Sequence, residues 1–162
     1  MKDVSLNFDK YYINQGDPDY ANIRFKNSTK ISSYGCGVCC IAMIICKTLN
    51  LTTVADKQAV IKKVIADATN ADGLLTYADI NYKGKVFKCA KAADLGLVIQ
   101  ENEPGICRLN GHYVLINGYD TTRPRFEAFL IKDPGAFLNF NLAQPMKKYG
   151  EAIKDRITVK LQ

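Results

Sequence analysis

An almost continuous apolar segment from Cys36 to about Leu49 is the feature that most constrains how this chain can fold. Its uninterrupted part, Val38 to Cys46, is nine residues long, far short of the ~20 residues that a membrane-spanning helix requires. An apolar segment of this length predicts a helix that is buried on all sides. Other elements must surround this helix, so we expect a globular domain with a central helix.

The composition agrees with one domain. The 162 residues are 48% hydrophobic and 23% charged, which is ordinary globular usage and excludes a disordered, collagen-like or coiled-coil chain. A domain usually contains ~100–200 residues. We therefore expect a single domain over residues 1–162.

The charge balance is mildly basic, with 22 Lys and Arg against 16 Asp and Glu and a net charge of +6. The lysines are scattered in the way that solvated helix surfaces usually carry them, so no nucleic-acid partner is expected. A basic protein is attracted to anionic polymers such as those of bacterial cell walls. We expect a monomer that does not insert into a membrane.

The first ten residues lack the apolar run of ~7–15 residues that defines a secretory signal. We therefore expect a protein that is cytoplasmic as synthesised, with release to a cell wall only by a separate route. In that compartment the six cysteines are expected to be reduced thiols and not a disulfide framework.

Apolar periodicity predicts further elements around the central helix. Helical spacing predicts a second helix from Thr53 to Ala68 with Lys57 on its solvent face, and a third from Cys89 to Leu95 with Gly96 as its C-cap. Four β-rich runs separated by turn residues predict an antiparallel sheet: Gly105 to Leu109, His112 to Tyr119, Phe126 to Ile131, and Arg156 to Leu161. The fold class is therefore predicted to be α+β.

Cys36 is the first candidate for chemistry, because it stands between Gly35 and Gly37 at the first turn of the apolar helix. Unpaired backbone amides and the helix dipole stabilise a thiolate at such a position. Glycines on both sides also let a substrate backbone approach closely. The same pattern fits a small core residue, so both interpretations stay open.

His112 is the only histidine in the chain. It follows the hairpin-turn pair Asn110-Gly111 and opens a predicted strand, so any histidine-dependent catalysis must use it. Asp133, after the strand expected beside it, could orient the imidazole as the third member of a triad. Asn117 and Asp120 are rivals, but both lie along the His112 strand and not beside it.

These residues, with one glutamine, form four short motifs in a recognisable order. The motifs are Asn14-Gln15-Gly16-Asp17, then Gly35-Cys36-Gly37 followed by Ala42-Met43, then Gly111-His112-Tyr113-Val114, then Asp133-Pro134. Their order and flanks resemble the C39-like family of papain-fold cysteine peptidases, over about Tyr11 to Pro134. The resemblance implies a papain-like fold, in which an N-terminal buried helix carrying the nucleophile packs on a C-terminal antiparallel sheet.

The resemblance also implies a role for each matched residue: Cys36 as nucleophile, His112 as general base and then acid, Asp133 as orienter, and Gln15 as donor to the oxyanion. Family members that cut double-glycine leaders carry the glutamine a few residues before an Asp-Cys-Gly. Here Gln15 lies 21 positions before Cys36, which Gly35 precedes. The chain therefore resembles the broader C39-like group.

The expected function is that of a cysteine hydrolase that cleaves a peptide or amide bond through a thioester acyl-enzyme, with no metal or organic cofactor. Its substrate would be a cell-wall peptide, as for a phage lytic enzyme, or a protein. Three alternatives use the same residues. They are a non-catalytic peptide-binding module on the same fold, a redox protein using Cys36-x-x-Cys39, and a zinc site of Cys36, Cys39, Cys40 and His112.

Overall fold

The structure, a computed structural model, describes residues 2–92 and 103–162. This part of the chain forms four helices: α1 (Ile31–Tyr34), α2 (Cys36–Leu49), α3 (Val54–Ala68) and α4 (Ala143–Tyr149). It also forms seven strands: β1 (Val4–Ser5), β2 (Ile80–Tyr82), β3 (Lys85–Lys91), β4 (Gly105–Leu109), β5 (His112–Tyr119), β6 (Phe129–Lys132) and β7 (Asp155–Leu161). The predicted mixture of helices with an antiparallel sheet is confirmed.

The strands form one sheet in the order β1-β5-β4-β7-β3-β2, and β6 pairs with β5 outside this path. Every pairing is antiparallel. Because β4 and β6 both pair with Leu115 and Ile116 of β5, they lie on opposite edges of that strand. β5 is therefore an interior strand of the sheet, with neighbours on both of its edges.

The β4–β5 hairpin agrees with the sequence prediction in both strands. Leu109 pairs with His112 across a turn of Asn110 and Gly111. Gly111 has a φ of 83°, a left-handed conformation that a glycine adopts without steric cost. This turn fixes His112 as the first residue of β5.

Helix α2 is the buried helix that its apolar sequence predicts, and all residues from Cys36 to Cys46 are buried. It packs against α3 on one side and against β5, β4 and β7 of the sheet on the other. The helix ends at Asn50, which adopts the left-handed conformation and donates its N–H to the carbonyls of Cys46 and Lys47. A helix enclosed in this way holds its first residue, Cys36, in a fixed place.

Helix α3 covers α2, and its first turn is capped by Thr53, whose hydroxyl accepts from the Asp56 N–H at 3.1 Å. The predicted solvent exposure of Lys57 is wrong. Lys57 is buried, and its ammonium group donates to the Tyr12 carbonyl at 3.2 Å. Burial lowers the pKa of Lys57. The hydrogen bond to the Tyr12 carbonyl connects the N-terminal segment to α3.

The prediction of a third helix that starts at Cys89 is wrong for its first residues, which form a strand. Cys89 lies in strand β3 and pairs with Val159 of β7, because Phe87 and Cys89 are buried while Lys88 between them is exposed. This alternation has the period of a strand. Leu95 and Gly96, the predicted end and cap of that helix, lie outside the described residues.

Strand β6 starts later than predicted, at Phe129, because Arg125–Ala128 forms a 3-10 turn. Strands β2 and β3 form a hairpin that was not predicted, with Lys83 and Gly84 at its turn in the left-handed conformation.

In residues 2–92 and 103–162, no helix has both the length and the apolar character needed to cross a membrane.

Candidate active site

His112 and Asp133 form a buried hydrogen-bonded pair. The imidazole Nε2 lies 2.7 Å from Oδ1 of Asp133, and the two residues are 6% and 2% exposed. His112 opens β5, while Asp133 follows the last residue of the antiparallel neighbour β6. The predicted pairing of these two side chains is confirmed.

The Asp133 carboxylate is held by three donors. Its Oδ1 accepts from His112 and from the Gly135 N–H at 2.8 Å, and its Oδ2 accepts from the Asn139 amide at 2.9 Å. Burial alone would raise the pKa of Asp133, but these hydrogen bonds hold it below its ordinary value. Asp133 is therefore ionised at neutral pH and fixes the imidazole tautomer and orientation.

The environment of His112 favours its charged form. Burial by itself lowers the pKa of His112, but hydrogen bonds with Asp133 and with the Cys36 thiol outweigh burial and raise the pKa from 6.5 to about 9. Since Nε2 faces Asp133, Nδ1 is the ring nitrogen left for the thiol. An imidazolium between a carboxylate and a thiol is suited to stabilise a thiolate.

Tyr149, at the end of α4, stacks on the imidazole of His112. The ring centroids lie 4.5 Å apart and the planes are inclined by 17°. Tyr149 thereby covers one face of the ring and limits its rotation. Sequence reasoning missed both Tyr149 and Asn139, because neither belongs to a motif or to a predicted element.

Cys36 is the first residue of α2, so its backbone N–H has no acceptor within the helix. The flanking glycines have a packing role at this position. A Cβ on Gly35 would lie 2.5 Å from the Ile31 carbonyl, and one on Gly37 would lie 2.9 Å from a methyl carbon of Leu75. The start of α2 therefore needs a glycine at position 35, where the close atom is backbone, whereas at position 37 the close atom is the movable end of a side chain.

Cys36 differs from the other five cysteines in its surroundings. It lines a cavity of about 600 Å³ together with His112, whereas the other cysteines are core residues outside this cavity. Burial raises the pKa of all five, to about 12 for Cys46 and Cys107 and to about 11 for Cys89. All six cysteines are free thiols.

Gln15 lines the same cavity as Cys36 and His112. Its backbone N–H donates to the Pro134 carbonyl at 2.8 Å, which ties it to the loop that follows Asp133. Its side-chain Nε2 donates to the Ser32 carbonyl at 3.2 Å. One of the two amide hydrogens is thus used, and the second remains for a ligand in the cavity.

The rival orienters do not contact His112. Asp120 accepts from the backbone and hydroxyl groups of Thr122 and pairs with Arg123 at 3.3 Å. The side-chain oxygen of Asn117 is buried without a partner among the described residues. Asp133 is therefore the acidic group on the imidazole.

The structure gives little support to the redox and zinc alternatives. Helix α2 follows the short helix α1 and no strand leads into it, so the strand–Cys–helix unit of a redox motif is not formed. Within residues 2–92 and 103–162, no three His, Cys, Asp or Glu side chains come together in a way that could hold a metal ion.

Comparison of the chain with protein-family models, curated proteins and solved structures finds no match. The residues of the site carry the chemical information about this chain. Those residues are a thiol at a helix start, an imidazole paired with a buried carboxylate, and an amide donor, all at one cavity.

Proposed function

We propose that the protein is a cysteine hydrolase of the C39-like, papain-like type that cleaves a peptide or amide bond. The observation that carries this proposal is the buried His112–Asp133 pair at 2.7 Å, with His112 on the wall of a cavity that Cys36 and Gln15 also line. Burying a charged pair such as His112–Asp133 costs desolvation free energy. A pair with a purely structural role would not need a cavity and a thiol next to it.

Each residue has one task in the proposed reaction. The thiolate of Cys36 attacks the carbonyl carbon, and the oxyanion accepts hydrogen bonds from the Cys36 N–H and the Gln15 amide. The His112 imidazolium donates its proton to the leaving amine as the C–N bond breaks, and a thioester remains. Water then attacks the thioester while His112 accepts one of its protons. The C–S bond breaks, the carboxylic acid leaves with the other proton, and the thiolate–imidazolium pair is restored.

The substrate class follows from charge and access. The cavity of about 600 Å³ is large enough for a few residues of an extended peptide. The net charge of +6 favours association with an anionic surface, as a bacterial cell wall presents. A cell-wall peptide is therefore the first substrate to test, and a protein segment is the second.

A thiol-directed acyl electrophile tests the proposal directly. We expect a peptidyl acyloxymethyl ketone to label Cys36 far faster than it labels glutathione, because glutathione lacks an imidazolium partner. Cys36→Ala should abolish labelling. Cys39→Ala, a matched change in the next turn of the same helix, should leave it intact. Release of new amino groups from cell-wall peptides should then follow the same pattern.

Two outcomes would contradict the proposal. Labelling of Cys36 no faster than glutathione, together with saturable binding of peptides without turnover, would indicate a peptide-binding module. Recovery of a reversible Cys36–Cys39 disulfide at the redox potential of a thiol oxidoreductase would indicate the redox function.

A further inference from the structure

The cavity that contains Cys36 has a second positively charged side chain, Arg108, that the proposed chemistry does not use. Arg108 lies on β4 and pairs in register with Tyr113 of β5. The ring of Tyr113 lies against Gly37, because a Cβ on Gly37 would come within 3.1 Å of it. Tyr113 thus stands between the helix start and Arg108, on a shared wall of the cavity.

The guanidinium of Arg108 is only partly used by the protein. Its Nε donates to Oδ2 of Asp155 at 2.6 Å. Neither terminal nitrogen has a hydrogen-bond acceptor in the described part of the chain, and the side chain is 34% exposed. A purely structural Arg–carboxylate pair commonly uses two parallel N–H groups. Here the single bond from Nε holds the guanidinium in place, and the N–H groups of the two terminal nitrogens are left for a ligand.

In the part of the chain that the structure describes, the charges around Arg108 do not cancel. The carboxylate of Asp155 is shared, because its Oδ1 also lies 3.6 Å from the ammonium group of Lys91. Two cations therefore face one carboxylate. Among the described residues that line the cavity, the anionic side chain is Asp72, which belongs to a different segment of the wall, so an anionic ligand group is attracted toward Arg108 and repelled from Asp72.

We propose that the cavity selects an acidic peptide, whose carboxylate accepts hydrogen bonds from the outer N–H groups of Arg108 while the scissile carbonyl lies at Cys36. This inference rests on the proposed hydrolase function and names the substrate class for the same site. Arg108 is then a specificity-determining residue, because a planar guanidinium with two adjacent donors matches a carboxylate better than it matches an amide.

Matched electrophiles test the selectivity without a known substrate. Peptidyl vinyl sulfones carry groups on both sides of the reactive carbon. One pair differs only by Glu against Gln on the peptide side, and a second pair differs only by a carboxyphenyl against a carbamoylphenyl group on the sulfone side. In one of the two pairs, the one that places its carboxylate on the side of Arg108, we expect the carboxylate probe to label Cys36 about tenfold faster than its amide partner.

Two variants with equal net charge separate local recognition from long-range attraction. Arg108→Gln should reduce the carboxylate-to-amide rate ratio to about one. Arg125→Gln removes the same charge from a side chain that is 78% exposed and outside the cavity, so it should keep the ratio of the wild type. Asp155→Asn, which removes the competing carboxylate, should increase the ratio and serves as the second test if Arg108→Gln is unstable.

The outcomes for the two proposals are distinct. Equal labelling of Cys36 by both members of each pair, or a carboxylate preference that Arg108→Gln leaves unchanged, overturns the selectivity for acidic peptides while the hydrolase proposal stands. Failure of every probe to label Cys36 in the folded wild-type protein overturns the hydrolase proposal and the selectivity with it.

Discussion

Replacing Asp133 with asparagine should uncouple the stability of the protein from the titration of His112. In the wild type, the pKa of His112 is raised from 6.5 to about 9, against the effect of burial, by its hydrogen bonds with Asp133 and Cys36. The introduced amide keeps the shape of the carboxylate but not its charge. The pKa of the buried imidazole in Asp133→Asn should therefore fall to 6.5 or below.

The sign and size of the effect follow from linkage. Because the folded state binds the proton more tightly than the unfolded state, the imidazolium stabilises the wild type fully below about pH 6.5. That stabilisation is lost as the pH rises through the folded-state pKa of about 9. A shift of this size corresponds to about 3 kcal/mol of unfolding free energy. In Asp133→Asn this decline between pH 6.5 and 9 should be absent.

Two measurements check the prediction. His112 is the only histidine, so a single imidazole resonance reports its pKa by NMR without assignment. Urea unfolding at steps from pH 6 to 9 gives the stability change. The five core thiols also lower the stability above about pH 8.5, because they ionise there in the unfolded chain while burial keeps them protonated in the folded state. The difference between wild type and variant is therefore the quantity to compare. Asp120→Asn, which changes an exposed carboxylate away from His112, is the control.

The reasoning would be refuted by a wild-type imidazole that titrates near 6.5. It would equally be refuted by Asp133→Asn and the wild type losing the same unfolding free energy between pH 6.5 and 8.5. Either result would mean that the carboxylate does not hold the proton on His112.

The remaining predictions concern groups around the site. Gln15→Ala should lower kcat by ~10²-fold on a verified substrate, with thiol labelling and folding nearly unchanged, since one oxyanion donor is lost; unchanged turnover would show that the oxyanion is held elsewhere. Tyr149→Ala should admit water to the imidazole and raise the pKa of His112 further in the NMR titration, because burial opposes the charged form, whereas Tyr149→Phe should keep the wild-type value; a lower pKa in Tyr149→Ala would contradict this. Gly35→Ala should cost ~1–3 kcal/mol in urea unfolding, because its Cβ would meet the backbone carbonyl of Ile31 at 2.5 Å; Gly105→Ala, with open space around its Cβ, should cost far less.

The parts of the fold that were predictable carry strong local signals. The bounds of α2, β4 and β5 agree with the sequence prediction, because an unbroken apolar run and an Asn-Gly turn between alternating strands have few competing structures. The segment Cys89-Ala-Lys-Ala-Ala misled the prediction, since alanine and lysine are strong helix formers. Pairing of Cys89 with Val159 in the sheet outweighs that local preference.

The site was predictable only where a residue belongs to a motif. His112 and Asp133 flank two strands that the alternating pattern identifies, so their meeting could be expected. Tyr149 comes to the site through packing between segments far apart in the sequence, and no spacing rule connects it with His112. Asn139 reaches Asp133 from the loop after β6, and an irregular loop leaves no periodic signal in the sequence. Arg108 lies in a strand that the sequence predicts, but a strand pattern alone does not show that its side chain lines a cavity.

The topology explains why one sheet can hold both His112 and Asp133 rigidly. In an antiparallel pair, the beginning of one strand lies beside the end of its neighbour, and here β5 begins with His112 while β6 ends just before Asp133. The opposite edge of β5 carries β4 and therefore Arg108. A movement of β5 would disturb both edges at once. The imidazole proposed to act on the scissile bond and the cation proposed to select the substrate both depend on the position of this strand, so a variant that shifts β5 should change turnover and selectivity together.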